Sequence, residues 1–175
     1  TLFIALQMLI KIGYTYISPD EALQLREGRK TNVLLRDILK SQLQKINKIE
    51  YKGQTHEFSD TNVELAINEL KELPMHLGFI NANQHFYDLI TLGKSFEQTI
   101  FGDRKSFSFK YIDWENPENN TFHVSEEFAV TRSHRSDTYR PDIVLFINGI
   151  PMVVIECKSN AIKSPVEEGI SQHLR

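Results

Sequence analysis

The chain has 175 residues, and its 20 lysines and arginines against 23 aspartates and glutamates give a formal net charge of −3 at pH 7. This balance excludes a strongly basic protein that binds nucleic acid over its whole surface, so any contact with phosphates must be local. A hydrophobic content of 41% excludes a disordered chain. The single cysteine, Cys157, excludes an internal disulfide and a cysteine-based zinc site.

The apolar run over residues 1–12 is too short to span a bilayer, and no basic segment precedes it as in a signal peptide. We therefore expect a cytoplasmic protein without a membrane partner. Because the chain begins with threonine, we interpret it as part of a longer polypeptide. No repeat or Gly/Ser linker divides the sequence. It is predicted to form one domain over 1–175, with a mainly helical part over 1–95 and a sheet core over 96–175.

Capping signals in the N-terminal half predict a series of helices. The first is expected over Leu2–Ile12 and stops at Gly13, since glycine tolerates the left-handed conformation of a helix C-cap. Ser18, a following proline and Glu21 form a capping box, which predicts a short helix that Gly28 closes. Apolar residues at helical spacing predict three further helices, over Val33–Ile49, Val63–Leu73 and Ala82–Leu92.

The C-terminal half has the pattern of strands. Ser106–Ile112 alternates apolar and polar residues with a period of two, as a strand with one wet face does, and Thr121–Val130 is a second candidate. Two continuous apolar runs, Ile143–Ile147 and Met152–Ile155, flank Asn148-Gly149, which is a strong hairpin signal. Runs without polar alternation indicate strands that are covered on both faces. The sequence therefore predicts an α/β fold with a mixed central sheet flanked by helices.

Charged residues stand at the ends of these buried strands. Asp142 begins the first strand of the hairpin, and Glu156 and Lys158 end the second. Charges at the edge of an apolar sheet are costly unless they satisfy one another or a metal ion. Two carboxylates and the backbone carbonyl of Cys157 form a set of hard oxygen ligands that suits Mg²⁺. Lys158 follows Glu156 by two positions and projects to the same side of the strand.

This set of residue types suits the hydrolysis of phosphodiesters. A bound metal ion lowers the pKa of a water molecule and neutralises charge on the phosphoryl oxygens. Asp142, Glu156 and the Cys157 carbonyl are then the candidate metal ligands, and Lys158 orients or deprotonates the attacking water. Asp142, Glu156 and Lys158 are the candidate catalytic residues. The residues alone leave a second reading open, in which the three charges form a structural cluster at the sheet edge.

The register of the hairpin decides whether the two carboxylates can share an ion. A two-residue Asn148-Gly149 loop with regular pairing places Asp142 opposite Ile155, so Asp142 and Glu156 point to opposite faces. A three-residue loop with a bulge, or an equivalent bend at Asp142, places Asp142 opposite Glu156, with Cβ atoms about 5 Å apart. We therefore predict the bulged hairpin.

The stretch from Arg140 to Lys158 resembles the PD…ExK nucleases and, more narrowly, the N-terminal nuclease domain of the R subunit of type I restriction enzymes. The segment Asp113-Trp114-Glu115-Asn116-Pro117 fits the same family. The resemblance implies a restriction-endonuclease-like core and Mg²⁺-dependent cleavage of double-stranded DNA, with Mn²⁺ able to substitute. It also implies methyltransferase and specificity subunits as partners. ATP would act only through helicase-type motor domains that are not in this sequence.

The capping box Ser164-Pro165-Val166-Glu167 predicts a last helix near the end of the sequence, and the same resemblance brings in one residue of it. Members of the family carry a glutamine and a tyrosine four residues apart after the lysine strand. Gln172 fits the glutamine as an organiser of the site, and the tyrosine position would follow the last residue. A look-alike of a phosphate-binding loop at Gly93-Lys94-Ser95 is rejected, because Asp88 holds the position of its first glycine.

Contacts with DNA are expected from the polar segment before Asp142. Arg132, Arg135 and Arg140 can bind backbone phosphates, although solvated loop charges are an equally good reading. Asp113 is interpreted as an ordinary strand-end aspartate rather than a peripheral acid of the site.

Two other functions stay open at this point. One is a stand-alone nuclease of the same superfamily that acts in repair or recombination. The other is a non-catalytic docking module that tethers a motor to the methyltransferase core. Divalent-metal binding that is lost on Asp142→Ala separates a nuclease from a docking module.

Overall fold

The structure is a computed structural model, and it describes residues 2–131 and 137–157. The helices are α1 (Leu2–Lys11), α2 (Pro19–Gln24), α3 (Arg36–Ile46), α4 (Asp60–Lys71) and α5 (Phe79–Leu92). The strands are β1 (Thr15–Ile17), β2 (Lys48–Tyr51), β3 (Gln54–Glu57), β4 (Lys94–Ile100), β5 (Asp103–Phe109), β6 (Phe122–Glu126), β7 (Val130–Thr131), β8 (Thr138–Tyr139), β9 (Ile143–Ile147) and β10 (Ile150–Ile155). Across these two ranges, no helix combines the length and the apolar character needed to cross a membrane.

The described residues fall into two compact units. The first comprises 2–36, 122–131 and 137–157, and the second comprises 37–121. The first unit contains a four-stranded sheet in the order β1-β6-β9-β10. In that sheet β1 runs parallel to β6, and the other neighbours are antiparallel. This mixed sheet and its accompanying helices confirm the predicted α/β fold class.

Both faces of the β9 strand are covered, as its continuous apolar sequence predicts. On one face, Leu6 of α1 packs with Val124, Ile143 and Leu145. On the other face, the ring of Phe128 meets Phe146 edge-on at a centroid distance of 5.2 Å. The burial of apolar side chains on both sides fixes β9 in the interior of the unit.

The parallel strand β1 was not predicted. It occupies three residues, Thr15–Ile17, in a part of the chain where the sequence indicates helices. The helix ends that flank it follow the prediction, because Gly13 takes a φ of 112° after α1 and the Ser18 hydroxyl accepts a hydrogen bond from the Glu21 N–H at 3.3 Å. Three residues are too few to show a periodic pattern, so only pairing with β6 reveals this strand.

The second unit joins helices α3, α4 and α5 to two small antiparallel hairpins, β2-β3 and β4-β5. The prediction of one long helix over Val33–Ile49 was wrong, because the chain leaves α3 at Ile46 and enters β2 at Lys48. Asn47 between them donates to the carbonyls of Leu43 and Lys110 at 2.9 and 2.8 Å. These bonds replace the next turn of helix with a connection to residues far along the chain.

Two predicted strand boundaries also need correction. The strand expected over Ser106–Ile112 spans Asp103–Phe109 and pairs with β4. The strand expected over Thr121–Val130 is interrupted, so that β6 ends at Glu126 and a separate β7 begins at Val130. In both cases pairing with a partner strand, rather than local alternation, sets where the strand ends.

Gly93→Ala is expected to destabilise the second unit. Gly93 ends α5 with φ 72° and ψ −160°, a backbone conformation that essentially only glycine adopts. A Cβ at this position would also overlap the backbone carbonyl of Phe109. We expect the substitution to lower the free energy of unfolding by about 2 kcal/mol or more, as measured by urea denaturation.

Gly53→Ala is the matched control for the Gly93 substitution. Gly53 has a φ of 77°, but a Cβ there would meet nothing within 4 Å. This variant carries the strain of a positive φ without a steric overlap, which costs about 1 kcal/mol. Equal losses from the two variants would show that the contact with Phe109 is unimportant.

Asp113 belongs to the second unit, and its carboxylate organises the loop that follows it. The Asn119 side chain donates to its Oδ2 at 2.9 Å, the Lys110 ammonium lies 2.9 Å from the same oxygen, and the Asn116 N–H donates to Oδ1 at 3.3 Å. These contacts support the interpretation of Asp113 as a structural residue. These contacts lower the pKa of Asp113 from its ordinary 3.8 to about 2, and the hydrogen bond from Asn119 is the largest cause.

The lowered pKa predicts acid-sensitive stability. Ionised Asp113 stabilises the folded chain in full above its ordinary pKa of 3.8, and this contribution is lost as the pH falls from there towards 2. Asp113→Asn is expected to remove that part of the pH dependence, as measured by urea unfolding between pH 2 and pH 7. An unchanged slope between pH 4 and pH 2 in the variant would contradict this assignment.

Candidate active site

The turn of the β9-β10 hairpin has two residues, so the expected three-residue loop was wrong. Ile147 pairs with Ile150, and Asn148 and Gly149 take φ values of 53° and 82°. Positive φ at both central positions is typical of a type I′ turn, which matches the twist of antiparallel strands. The Gly149 carbonyl also accepts a hydrogen bond from the Leu35 N–H at 2.9 Å, which ties the turn to the chain after α2.

The bulge lies inside β10 instead of in the turn. Pro151 pairs with Phe146 and Val153 pairs with Leu145, which leaves Met152 as the extra residue. Because the bulge shifts the pairing by one position, Ile155 pairs with Ile143. Continued by one residue, the same register sets Glu156 against Asp142. The hairpin thus reaches the expected register with its extra residue at another position.

Both carboxylates at this end of the hairpin accept a short hydrogen bond. The Cys157 N–H donates to Asp142 Oδ2 at 2.6 Å, so the Asp142 side chain reaches across to the strand that carries Glu156. The Tyr139 hydroxyl donates to Glu156 Oε1 at 2.6 Å. Each bond engages one carboxylate oxygen, and a cation would take the second oxygen of each pair.

The side chain of Cys157 lies against apolar residues of the unit. It packs with the cluster that contains Leu6 of α1 and Ile143 of β9, which is the orientation expected for the residue between Glu156 and Lys158. Burial raises the pKa of the Cys157 thiol, and the charges of Asp142 and Glu156 raise it further. The thiol is therefore neutral near pH 7, and the backbone of Cys157 is the part that can serve the site.

The donor set fits Mg²⁺ by its chemistry. Asp142 and Glu156 are both partly buried, and within 2–131 and 137–157 neither carboxylate forms an ion pair with lysine or arginine. Two neighbouring carboxylates repel each other, and a divalent cation between them would offset that repulsion. In the same ranges no group of three or more His, Cys, Asp and Glu side chains has the arrangement of a metal site. Binding of Mg²⁺ here would therefore depend on the two carboxylates and on a backbone carbonyl such as that of Cys157.

Arg140 is exposed and lies near the candidate site. Its Nη1 is 3.6 Å from Glu127 Oε2, and the Glu127 N–H donates to the Asp142 carbonyl at 3.0 Å. The pairing with Glu127 does not test a role in DNA binding, which stays a prediction. Four other residues assigned from the sequence lie outside the described residues: Lys158, Gln172, Arg132 and Arg135.

Sequence reasoning missed Tyr139. Its place beside Glu156 depends on a short antiparallel ribbon in which Tyr139 of β8 pairs with Val130 of β7. Strands of two residues carry no periodic signal. The position of Tyr139 three residues before Asp142 is the single local clue, and it does not indicate contact with Glu156.

A family model described as "Type I restriction enzyme R protein N terminus" matches residues 3–175. A Methanocaldococcus jannaschii protein, named as the type I restriction enzyme MjaVIIIP endonuclease subunit, is 34% identical over 143 residues, or 81% of this chain and 13% of that protein. The type I restriction enzyme HindI endonuclease subunit of Haemophilus influenzae is 36% identical over 77 residues, or 44% of this chain and 7% of that protein. The chain thus spans a small fraction of the length of these curated relatives.

Proposed function

The chain belongs to the family of type I restriction enzyme R protein N termini, and we propose that it is an endonuclease domain that hydrolyses phosphodiester bonds of double-stranded DNA with Mg²⁺. The observation that supports this proposal is the register of the bulged hairpin, in which Ile155 pairs with Ile143, so that the next residues along the two strands, Glu156 and Asp142, stand at the same end of the hairpin. A non-catalytic sheet gains nothing from two facing carboxylates at the end of a buried hairpin, because they repel each other and lose hydration.

Each candidate site residue has a task in the proposed reaction. Asp142 and Glu156 would hold the ion through their carboxylates, each of which already accepts one hydrogen bond, from Cys157 and Tyr139 respectively, and the Cys157 carbonyl would be the third protein ligand. Lys158 orients or deprotonates the attacking water. When bound, Mg²⁺ supplies a water of lowered pKa and neutralises charge on the scissile phosphate. Arg132, Arg135 and Arg140 bind the DNA backbone, and Gln172 helps to organise the site.

The wider setting of the reaction is also part of the proposal. The relatives are named as endonuclease subunits of type I restriction enzymes, and this chain matches 13% or less of their length in the two comparisons above. We infer that the complete polypeptide works in a cytoplasmic complex with methyltransferase and specificity subunits. ATP would be bound and hydrolysed by motor domains elsewhere in that polypeptide.

Binding of Mn²⁺ to the complete R protein without ATP tests the proposed site. Isothermal titration is expected to detect a site that disappears with Asp142→Ala and with Glu156→Ala. Cleavage of supercoiled plasmid by the assembled complex should require Mg²⁺ or Mn²⁺ and stop when the ion is chelated. If both variants keep the same Mn²⁺ binding as the unchanged protein, the docking-module function takes the place of the nuclease.

A further inference from the structure

Tyr139 contacts one of the two candidate metal ligands, and nothing in the sequence pattern assigns it a role. Its hydroxyl lies 2.6 Å from Glu156 Oε1, and its side chain is partly buried. The backbone of Tyr139 is held by the ribbon with β7, in which Val130 pairs with Tyr139 and Thr131 with Thr138. The ribbon is in turn tied to the chain after α2, because the Thr131 N–H donates to the Lys30 carbonyl at 3.0 Å.

A glutamate needs such a partner more than an aspartate does. The Glu156 side chain has one more rotatable bond than that of Asp142, and rotation about its terminal bond is broad and roughly twofold. Glu156 also stands one position beyond the end of β10, where strand pairing no longer restrains it. A hydrogen bond to Oε1 restricts this freedom, and Oε2 would then be the oxygen available to an ion.

The two carboxylates are held by different means. Asp142 receives its hydrogen bond from the Cys157 backbone, so its partner is present in any side-chain variant of the hairpin. Glu156 receives its hydrogen bond from a side chain on a separate ribbon. The orientation of Glu156 is therefore the part of the site that a single distant substitution can disturb.

We propose that Tyr139 is a positioning residue of the nuclease site, whose hydroxyl orients the Glu156 carboxylate for binding of the divalent cation. This inference rests on the proposed function, and it adds a residue outside the Asp142, Glu156 and Lys158 set. Hydrogen bonds from neighbours to metal-binding carboxylates commonly change metal affinity or activity by 10–100-fold.

The variant Tyr139→Phe removes the hydroxyl and keeps the ring, so the packing of the ribbon is retained. In the complete R protein without ATP, we expect its Mn²⁺ dissociation constant at the Asp142 site to rise about tenfold. In the assembled complex, the Mg²⁺ concentration for half-maximal cleavage should rise by a similar factor, and saturating Mg²⁺ should restore much of the rate. The midpoint of thermal unfolding and the rate of ATP hydrolysis should not change.

The same unit contains a matched control pair. The Tyr16 hydroxyl donates to Glu126 Oε1 at 2.8 Å, which is the same kind of bond between a tyrosine of β1 and a glutamate of β6. Glu126 pairs with Ile143 in the sheet, and it is not one of the two proposed metal ligands, Asp142 and Glu156. Tyr16→Phe is expected to leave both the Mn²⁺ affinity and the Mg²⁺ requirement unchanged.

Three outcomes would overturn the role of Tyr139. One is a Tyr139→Phe protein with the Mn²⁺ affinity and the Mg²⁺ requirement of the unchanged protein. Another is a fall in cleavage that accompanies a lower unfolding temperature with no change in Mn²⁺ affinity, which would indicate a structural residue. The third is an equal effect of Tyr16→Phe. Failure of the nuclease proposal itself looks different, because Asp142→Ala would then also keep Mn²⁺ binding and cleavage.

Discussion

Replacement of Asp142, Glu156 or Lys158 by alanine in the complete R protein is expected to reduce DNA cleavage by the assembled complex about 10³-fold or more. In the proposed mechanism, loss of either carboxylate would leave the ion with too few ligands, and loss of the lysine would leave the attacking water without its orienting group. The rate of ATP hydrolysis should stay as in the unchanged complex, because the proposed motor domains lie elsewhere in the polypeptide. The measurement is conversion of supercoiled plasmid to linear DNA, with ATP hydrolysis followed in parallel.

Glu126→Ala is the matched control for the two carboxylate variants. Glu126 lies on the neighbouring strand β6, is partly buried and accepts a tyrosine hydrogen bond, as Glu156 does. Its removal should leave cleavage within about twofold of the unchanged complex, because a surface hydrogen bond of this kind adds little to stability. Cleavage that survives all three substitutions at Asp142, Glu156 and Lys158 would show that these charges are structural.

Arg26→Leu is expected to produce the largest loss of stability in the first unit. Arg26 is 2% exposed, and its guanidinium donates to the carbonyls of Ala22, Asn32 and Ala129 at 3.1, 3.2 and 2.9 Å. Its Cζ atom also lies 3.8 Å from the centre of the Phe128 ring. Leucine fills part of the space but leaves these carbonyls without their donor.

We expect Arg26→Leu to lower the free energy of unfolding by about 3 kcal/mol. For a chain of this size, that loss lowers the thermal midpoint by about 6–12 °C, as measured by circular dichroism. Arg26→Lys is the control, because it keeps the charge but replaces the planar fork of donors with one ammonium group. Its effect should lie between those of leucine and the unchanged chain, and an equal stability of all three proteins would contradict the assignment.

The Arg26 contacts also connect stability to the candidate site. The Ala129 carbonyl that Arg26 holds comes directly before β7, and β7 pairs with the strand that carries Tyr139. A variant that releases this carbonyl should therefore loosen the ribbon beside Glu156. We expect Arg26→Leu to raise the Mg²⁺ requirement of cleavage below the unfolding temperature, in the same direction as Tyr139→Phe.

Local signals in the sequence were sufficient for the helix caps at Gly13 and Ser18 and for the presence of the buried hairpin, although the helix expected to close at Gly28 ends already at Gln24. Gly13 and Ser18 act through conformations and hydrogen bonds within a few residues of themselves, so their roles can be identified without a structure. The runs in β9 and β10 are apolar because both sides of these strands are covered. The same property makes the charges of Asp142 and Glu156 conspicuous, and the sequence alone therefore indicates them as candidate site residues.

Pairing between distant segments was not predictable in the same way. The strand β1 exists because three residues bond to β6, more than a hundred positions later in the chain. Asn47 ends α3 because its side chain bonds to Lys110. No local pattern indicates either contact, since each depends on groups that only the folded chain brings together.

The sequence by itself determined which residues are the candidates for chemistry, namely two carboxylates and a lysine at the ends of apolar strands that border an Asn-Gly turn. The tertiary structure decided the register of the hairpin, because Met152 bulges out of β10 and shifts the pairing by one residue, which places Asp142 and Glu156 at the same end of the two strands. It also decided that Tyr139 reaches Glu156, through a ribbon too short to leave a trace in the sequence. Side-chain identity is a local property, whereas register is the outcome of competing pairings along two whole strands.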